Sequence, residues 1–195
     1  MIDTSGSMAQ FSSHIILNSI NKFLKSQTGN PCIKKTVSIL TFNTSINKLI
    51  INKELISLRK LTYDDIRVNG YTALYDAFHN GITLLNNDNT TNKTLVVITD
   101  GMENSSDISI GEIITEIRKS QKKGLLIKFL GGGQDAIKVG MELGIDEGNC
   151  LTFSNDDYGL EGAFLAASSS LERHTCGENH QFTGLERISS QTQSY

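Results

Sequence analysis

Residues 94–100 read Thr-Leu-Val-Val-Ile-Thr-Asp. Leu95 to Ile98 form a short apolar run bounded by polar residues, which suits a strand buried on both faces, as in a parallel sheet covered by helices. The run stops at an acid, Asp100, and Gly101 turns the chain away. Working outward, Ile110, Ile113, Ile114 and Ile117 form a helical stripe that Gly124 ends. Then come an apolar strand (125–130), the loop Gly-Gly-Gly-Gln-Asp (131–135), a helix over 136–143, a short strand (150–153) and a last helix carrying Leu160, Ala163, Phe164, Ala167 and Leu171. In the other direction, Leu74, Ala77, Phe78 and Leu85 mark a helix just after Gly70-Tyr71-Thr72. Residues 36–42 and 45–51 read as two strands joined by a turn at Asn43 and Thr44, a hairpin. Phe11, Ile15, Ile16, Ile20, Phe23 and Leu24 predict a helix over 8–27, with Ser5 or Ser7 as its cap.

Strand and helix alternate nearly to the end, which argues for an α/β domain with a mostly parallel sheet and helices on both faces. A single proline leaves the elements uninterrupted. From Thr175 to Tyr195 the chain turns polar, with only Phe182, Leu185 and Ile188 to dock it. The expected organisation is one domain over 1–174 and a loosely attached polar tail over 175–195.

At 195 residues, 38% hydrophobic and 20% charged, the composition is that of one ordinary domain with enough apolar material for a sizeable core. A net charge of -3 with mixed signs provides no electropositive field of the kind nucleic-acid binders use. Cys32, Cys150 and Cys176 are odd in number and far apart, which favours reduced thiols and a cytoplasmic location over a disulfide framework. No run approaches a membrane span, and no signal peptide precedes Asp3.

In open α/β sheets ligands bind beyond the carboxyl ends of the strands. Three polar segments converge there: Asp3-Thr4-Ser5-Gly6-Ser7, Gly70-Tyr71-Thr72 and Thr99-Asp100-Gly101. Together they offer two carboxylates and three hydroxyls, with no histidine or cysteine. That set suits a hard cation, and Mg²⁺ first, because it accepts few protein ligands and keeps waters. If the chain turns sharply at Gly6, where glycine makes the turn cheap, residues 3, 5 and 7 point to one centre while Thr4 points away. Two carboxylates balance a divalent charge, and neutral hydroxyls leave the ion electrophilic, so the site attracts another anion. Each piece alone is common as a helix cap or a turn. Their joint occurrence on one sheet edge carries the reading.

These same segments, DTSGSM (3–8), GYTALYDAF (70–78) and VVITDGMEN (96–104), resemble the three signature segments of a von Willebrand factor type A domain with a metal-ion-dependent adhesion site. The resemblance covers about residues 1–173; residues 131–145 and 153–173 are similar to the back half of stand-alone microbial, phage or viral members. It implies a Rossmann-like, doubly wound sheet with one antiparallel edge strand, which residues 45–51 would supply. It implies metal ligands at Asp3, Ser5, Ser7, Thr72 and Asp100, the serines contacting the ion directly and the others directly or through water. It implies Mg²⁺, or Mn²⁺ in its place, and a protein partner whose Asp or Glu fills the open position. Stand-alone relatives work beside ATPases or in surface and assembly complexes. The function expected is therefore binding, not catalysis.

One departure stands out. Two residues precede Asp3, where the family builds the motif on a central strand of five or six, and they span under about 7 Å. The expectation is that the natural start lies upstream or that the chain is a fragment.

Other signals weigh less. Residues 131–135 have neither a G-x-G-x-x-G nor a G-K-[ST] ending, so a turn capped by Asp135 is favoured over a nucleotide loop. His174, Cys176 and His180 have zinc-ligand chemistry but lack a fourth ligand. His14 and His79 read as surface or core-edge residues of helices, and Glu103 and Asp107 as solvated loop acids. The competing function is a Mg²⁺-dependent phosphatase or phosphotransferase using the strand-end acids. Against it, Ser5 stands where dehalogenase-like phosphatases carry a second aspartate, no lysine is aimed at the site, and no nucleophile–base set is evident.

Overall fold

The computed structural model describes residues 1–29, 33–133 and 135–191. Six strands form one sheet in the order β3-β2-β1-β4-β5-β6. They are β1 (Ile2–Asp3), β2 (Thr36–Phe42), β3 (Ile46–Glu54), β4 (Thr94–Thr99), β5 (Leu126–Gly132) and β6 (Cys150–Phe153). Only the β2–β3 pair is antiparallel; β1 lies parallel between β2 and β4, with Ile2 opposite both Thr41 and Ile98. The sheet is thus Rossmann-like and mostly parallel with one antiparallel edge strand.

Both faces of the sheet are buried, as the run in β4 requires. Ile98, Leu130 and Leu151 point to the side covered by α1 (Ser13–Ser26) and α5 (Asp157–Thr175), whose Ile16, Ile20, Leu160 and Ala163 complete that layer. Val97, Phe129 and Cys150, one residue out of phase, face α2 (Leu74–Asn86), α3 (Ile110–Lys122) and α4 (Ala136–Glu142). Strand order reverses between β1 and β4, so their carboxyl ends open onto the crevice where such folds hold ligands.

Three expectations change. The helix predicted over 8–27 is broken: Gly6–Gln10 is a 3-10 turn, and α1 begins at Ser13. Neither Ser5 nor Ser7 caps it; instead Asp157 at the start of α5 accepts from Ser12 N (2.8 Å) and Ser12 Oγ (2.5 Å). The hairpin strand runs on to Glu54, past the predicted end at 51.

Third, residues 175–191 are not loosely attached. A short helix, α6 (Gly184–Ser189), lies along the outer edge of β6. Arg187 donates to the Cys150 carbonyl at 2.9 Å, Ser190 Oγ to the Thr152 carbonyl at 2.9 Å, and Ser154 N to the Ser190 carbonyl at 2.9 Å. These bonds engage groups that an edge strand otherwise leaves open. Arg173 of α5 clamps Glu186 at 2.8 and 2.9 Å. Phe182 is buried beneath this segment, 4.6 Å from the Lys128 ammonium.

Among the described residues no helix is long and apolar enough to cross a membrane. Cys150 and Cys176 are free, whereas Cys32 lies outside the described residues. Burial pushes the Cys150 thiol up to about 12.

Candidate metal centre

The first loop leaves β1 at Asp3 and enters the crevice. Thr4 turns the other way, its hydroxyl donating to the Phe42 carbonyl at 3.1 Å, which directs residues 3, 5 and 7 to the open side. Gly6 serves this geometry by closeness rather than by a left-handed turn: its N–H donates to the Gly70 carbonyl at 2.9 Å, and a Cβ there would stand 3.3 Å from that oxygen. The first and second loops are thereby stitched together.

Of the five residues predicted as oxygen donors, Ser5, Ser7, Thr72 and Asp100 line one crevice, and Asp3 lies beside it with no exposed surface. Asp3 Oδ1 accepts from Ser5 N at 2.7 Å. Ser5 Oγ lies 3.0 Å from Ser7 Oγ, which donates to Asp100 Oδ1 at 2.6 Å. Thr72 is buried, and its Oγ1 lies 2.5 Å from where a Cβ on Gly101 would sit, with Ser7 Oγ 3.3 Å from the same point. A side chain at 101 would therefore fill the cradle between the second and third loops. The Thr72 backbone is tied to the third loop twice: its N–H donates to Asn104 Oδ1 at 2.8 Å, and its carbonyl accepts from Asn104 N at 3.1 Å.

Both carboxylates are held where ionisation is costly. Burial pushes Asp3 up to about 6 even though Thr99 Oγ1, Ser5 N and Ser5 Oγ favour its charged form, and the nearby Asp100 pushes it the same way as burial. Burial likewise raises Asp100, against hydrogen bonds from Ser7 and from Gln10 Nε2, the latter at 2.6 Å. Two acids paired only with neutral donors in a buried crevice form a site that a cation relieves.

Three of the donors, Ser5, Ser7 and Asp100, also fit by distance. An octahedral ion with ligands at about 2.0–2.1 Å needs adjacent oxygens about 2.9 Å apart. The Ser5–Ser7 and Ser7–Asp100 oxygen separations of 3.0 and 2.6 Å bracket that value.

Sequence reasoning missed three supporting residues. Thr99 donates to Asp3 Oδ2, Gln10 fixes Asp100, and Asn104 joins the second loop to the third. Thr99 and Asn104 both fall within the third signature segment, the one signal available for them; Gln10 carries none. Glu103, expected to be solvated, organises the third loop instead: it accepts from Ser105 N, Ser106 N and Ser106 Oγ, and from Tyr75 N at the start of α2.

The other sequence candidates do not form sites. Asp135 caps α4 by accepting from Lys138 N at 3.1 Å, as the turn reading expects; Gln134 lies outside the described residues. The His174 and His180 rings meet edge to face at 4.9 Å, but Lys128 Nζ stands 3.5 Å from His180 Nδ1, a cation where a metal would need to be. Cys176 is exposed. His79 pairs with Glu116 at 2.7 Å, and His14 with Asn18 at 2.7 Å.

Residues 1–166 match the model of the von Willebrand factor type A domain. No curated protein matches the chain. Among solved structures, proximal thread matrix protein 1 from the mussel byssus aligns with a TM-score of 0.63 at 18% identity, covering 86% of this chain and 43% of that one. A form of that mussel protein with a zinc-occupied metal-ion-dependent adhesion site motif aligns at 0.55 and 17%, covering 88% and 42%. The von Willebrand factor type A domain of SpRpn10 aligns at 0.58 and 13%, covering 80% of this chain and 85% of that one. The chain thus spans less than half of the mussel protein and most of the SpRpn10 domain, and these likenesses concern the fold. On its sheet and its matching residues, the chain belongs to the von Willebrand factor type A domain family.

Proposed function

We propose that this domain binds a divalent cation, Mg²⁺ first, through Asp3, Ser5, Ser7, Thr72 and Asp100, and captures a protein partner by a carboxylate on that partner. The observation that carries this reading is the chain of close contacts running from Asp3, held by Ser5 N–H, through the Ser5 and Ser7 hydroxyls to Asp100. Bound there, the ion supplies a Lewis-acidic position for an incoming anion. Asp3 and Asp100 balance its charge, and the hydroxyls of Ser5, Ser7 and Thr72 complete the shell without quenching it. Thr99 and Gln10 hold the two carboxylates in orientation. That the mussel relative carries zinc in its corresponding motif supports a divalent ion of some kind.

The domain acts by binding, not by turnover. No lysine, arginine or histidine among the described residues lines the crevice, so a phosphoryl group would meet no cationic side chain of the protein. Affinity capture with Mg²⁺ or with EDTA tests the reading. Capture should need the metal and vanish in Asp3→Ala and Asp100→Ala; capture unchanged by both substitutions, or metal-dependent phosphoester turnover abolished by Asp3→Asn, would refute it.

A further inference from the structure

Two large apolar side chains stand exposed beside the crevice: Tyr71 at 67% and Met102 at 71%. Each is the immediate neighbour of a site residue, Tyr71 of Thr72 and Met102 of Gly101, and both line the crevice. Their backbones are pinned. Tyr71 N donates to Thr44 Oγ1 at 2.9 Å, and Met102 lies between Gly101, whose N–H donates to Thr99 Oγ1 at 3.0 Å, and Asn104, which is bonded twice to Thr72. The apolar pair thus lines the crevice on backbone held in place, which lowers the ordering cost of binding.

The charge pattern narrows what fits. The crevice has no basic side chain among the described residues, and the nearby acids Glu103 and Asp76 are occupied with backbone N–H groups. A second carboxylate on a visitor would meet Asp100 and no compensating cation.

We infer that the partner segment presents a single carboxylate flanked by an aliphatic or aromatic side chain, which packs on Tyr71 and Met102, and not a run of acids. This rests on the metal-bridge reading above. Burying such an arm against the pair is worth about tenfold or more in affinity over the carboxylate alone.

Ligand-observed NMR on the Mg²⁺-loaded protein tests it, with acetate, succinate, 3-phenylpropionate and 3-phenylpropanamide as probes and EDTA as control. The inference predicts that 3-phenylpropionate binds about tenfold tighter than acetate or succinate, only with Mg²⁺, and that the amide does not bind. Tyr71→Ser and Met102→Ser should each reduce that preference while leaving Mg²⁺ affinity, measured by calorimetry, unchanged. Metal-dependent binding of all three carboxylates with equal strength, or a preference for succinate, would overturn the apolar flank and leave the bridge standing. No carboxylate binding at all would overturn both, and equal binding of acid and amide in EDTA would replace them with a metal-free apolar groove.

Discussion

Asp3 has no exposed surface, and its two oxygens are spent on Ser5 N and Thr99 Oγ1, so its charge is stabilised only by neutral donors. Asp3→Asn keeps the shape and removes the buried charge. Metal-free Asp3→Asn should be as stable as the parent or more so, by about 1 kcal/mol, while losing the rise in melting temperature that Mg²⁺ gives the parent. Thermal unfolding with Mg²⁺ and with EDTA checks both halves. Gly101 makes a separate case, because its backbone is not left-handed and the constraint is purely steric: a Cβ would lie 2.5 Å from Thr72 Oγ1. Gly101→Ala should cost about 1–3 kcal/mol in urea unfolding and weaken Mg²⁺ binding about tenfold by pushing Thr72 aside. The five proposed donor residues can be named from the sequence because oxygen-bearing types cluster in the loops that follow β1 and β4 and precede α2. The roles of Gln10, Thr99 and Asn104 cannot be, because they depend on loops from different parts of the chain meeting side by side.

The elements were legible where burial follows a single period: β4 by its apolar run, α2 and α3 by their stripes. They were misread where it does not. Phe11 stays buried at 3% without being helical, so the apolar spacing continues across the break before α1 and conceals it. Ser12, the residue that caps α1, is held by Asp157 from far along the chain. The C-terminal segment looks loose in sequence because hydrophobic periodicity cannot register a helix held by polar bonds to a strand edge. Lys128, within β5, is the buried centre of that attachment. It donates to Asn149 Oδ1 at 2.7 Å and to the His180 carbonyl at 2.6 Å, with Arg173, Glu186, Asp146 and Cys150 as its charged or titratable surroundings. Burial first, and then Arg173, lower its pKa to about 8 from 10.5. The native state therefore sheds this proton before the unfolded chain does, and stability rises with pH between those values and is lost as pH falls through about 8. Relative to Lys128→Met, the parent should gain up to about 3 kcal/mol between pH 7.5 and pH 10.5 in urea unfolding. A pH-independent difference between the two would show that the ammonium is not desolvated.

At the scale of the molecule, two apolar layers fix the sheet, and the sheet fixes the site. Val97 and Ile98 send adjacent side chains into opposite layers, which leaves Thr99 and Asp100 at the mouth of the crevice between β1 and β4. Three loops far apart in sequence then meet because the strand order reverses at that point, not because they attract one another; their acids repel. What joins them is a set of backbone and hydroxyl contacts, Gly6 to Gly70, Thr72 to Asn104 and Ser7 to Asp100. The metal bridge requires that this junction hold one hard cation with a coordination position still open. Anomalous diffraction from crystals soaked in Mn²⁺ tests it most directly. The account predicts one strong peak within about 2.2 Å of Ser5 Oγ and Ser7 Oγ, with at least one ligand that is water or buffer anion; a crevice without a peak at saturating Mn²⁺, or an ion enclosed entirely by protein oxygens, would contradict it.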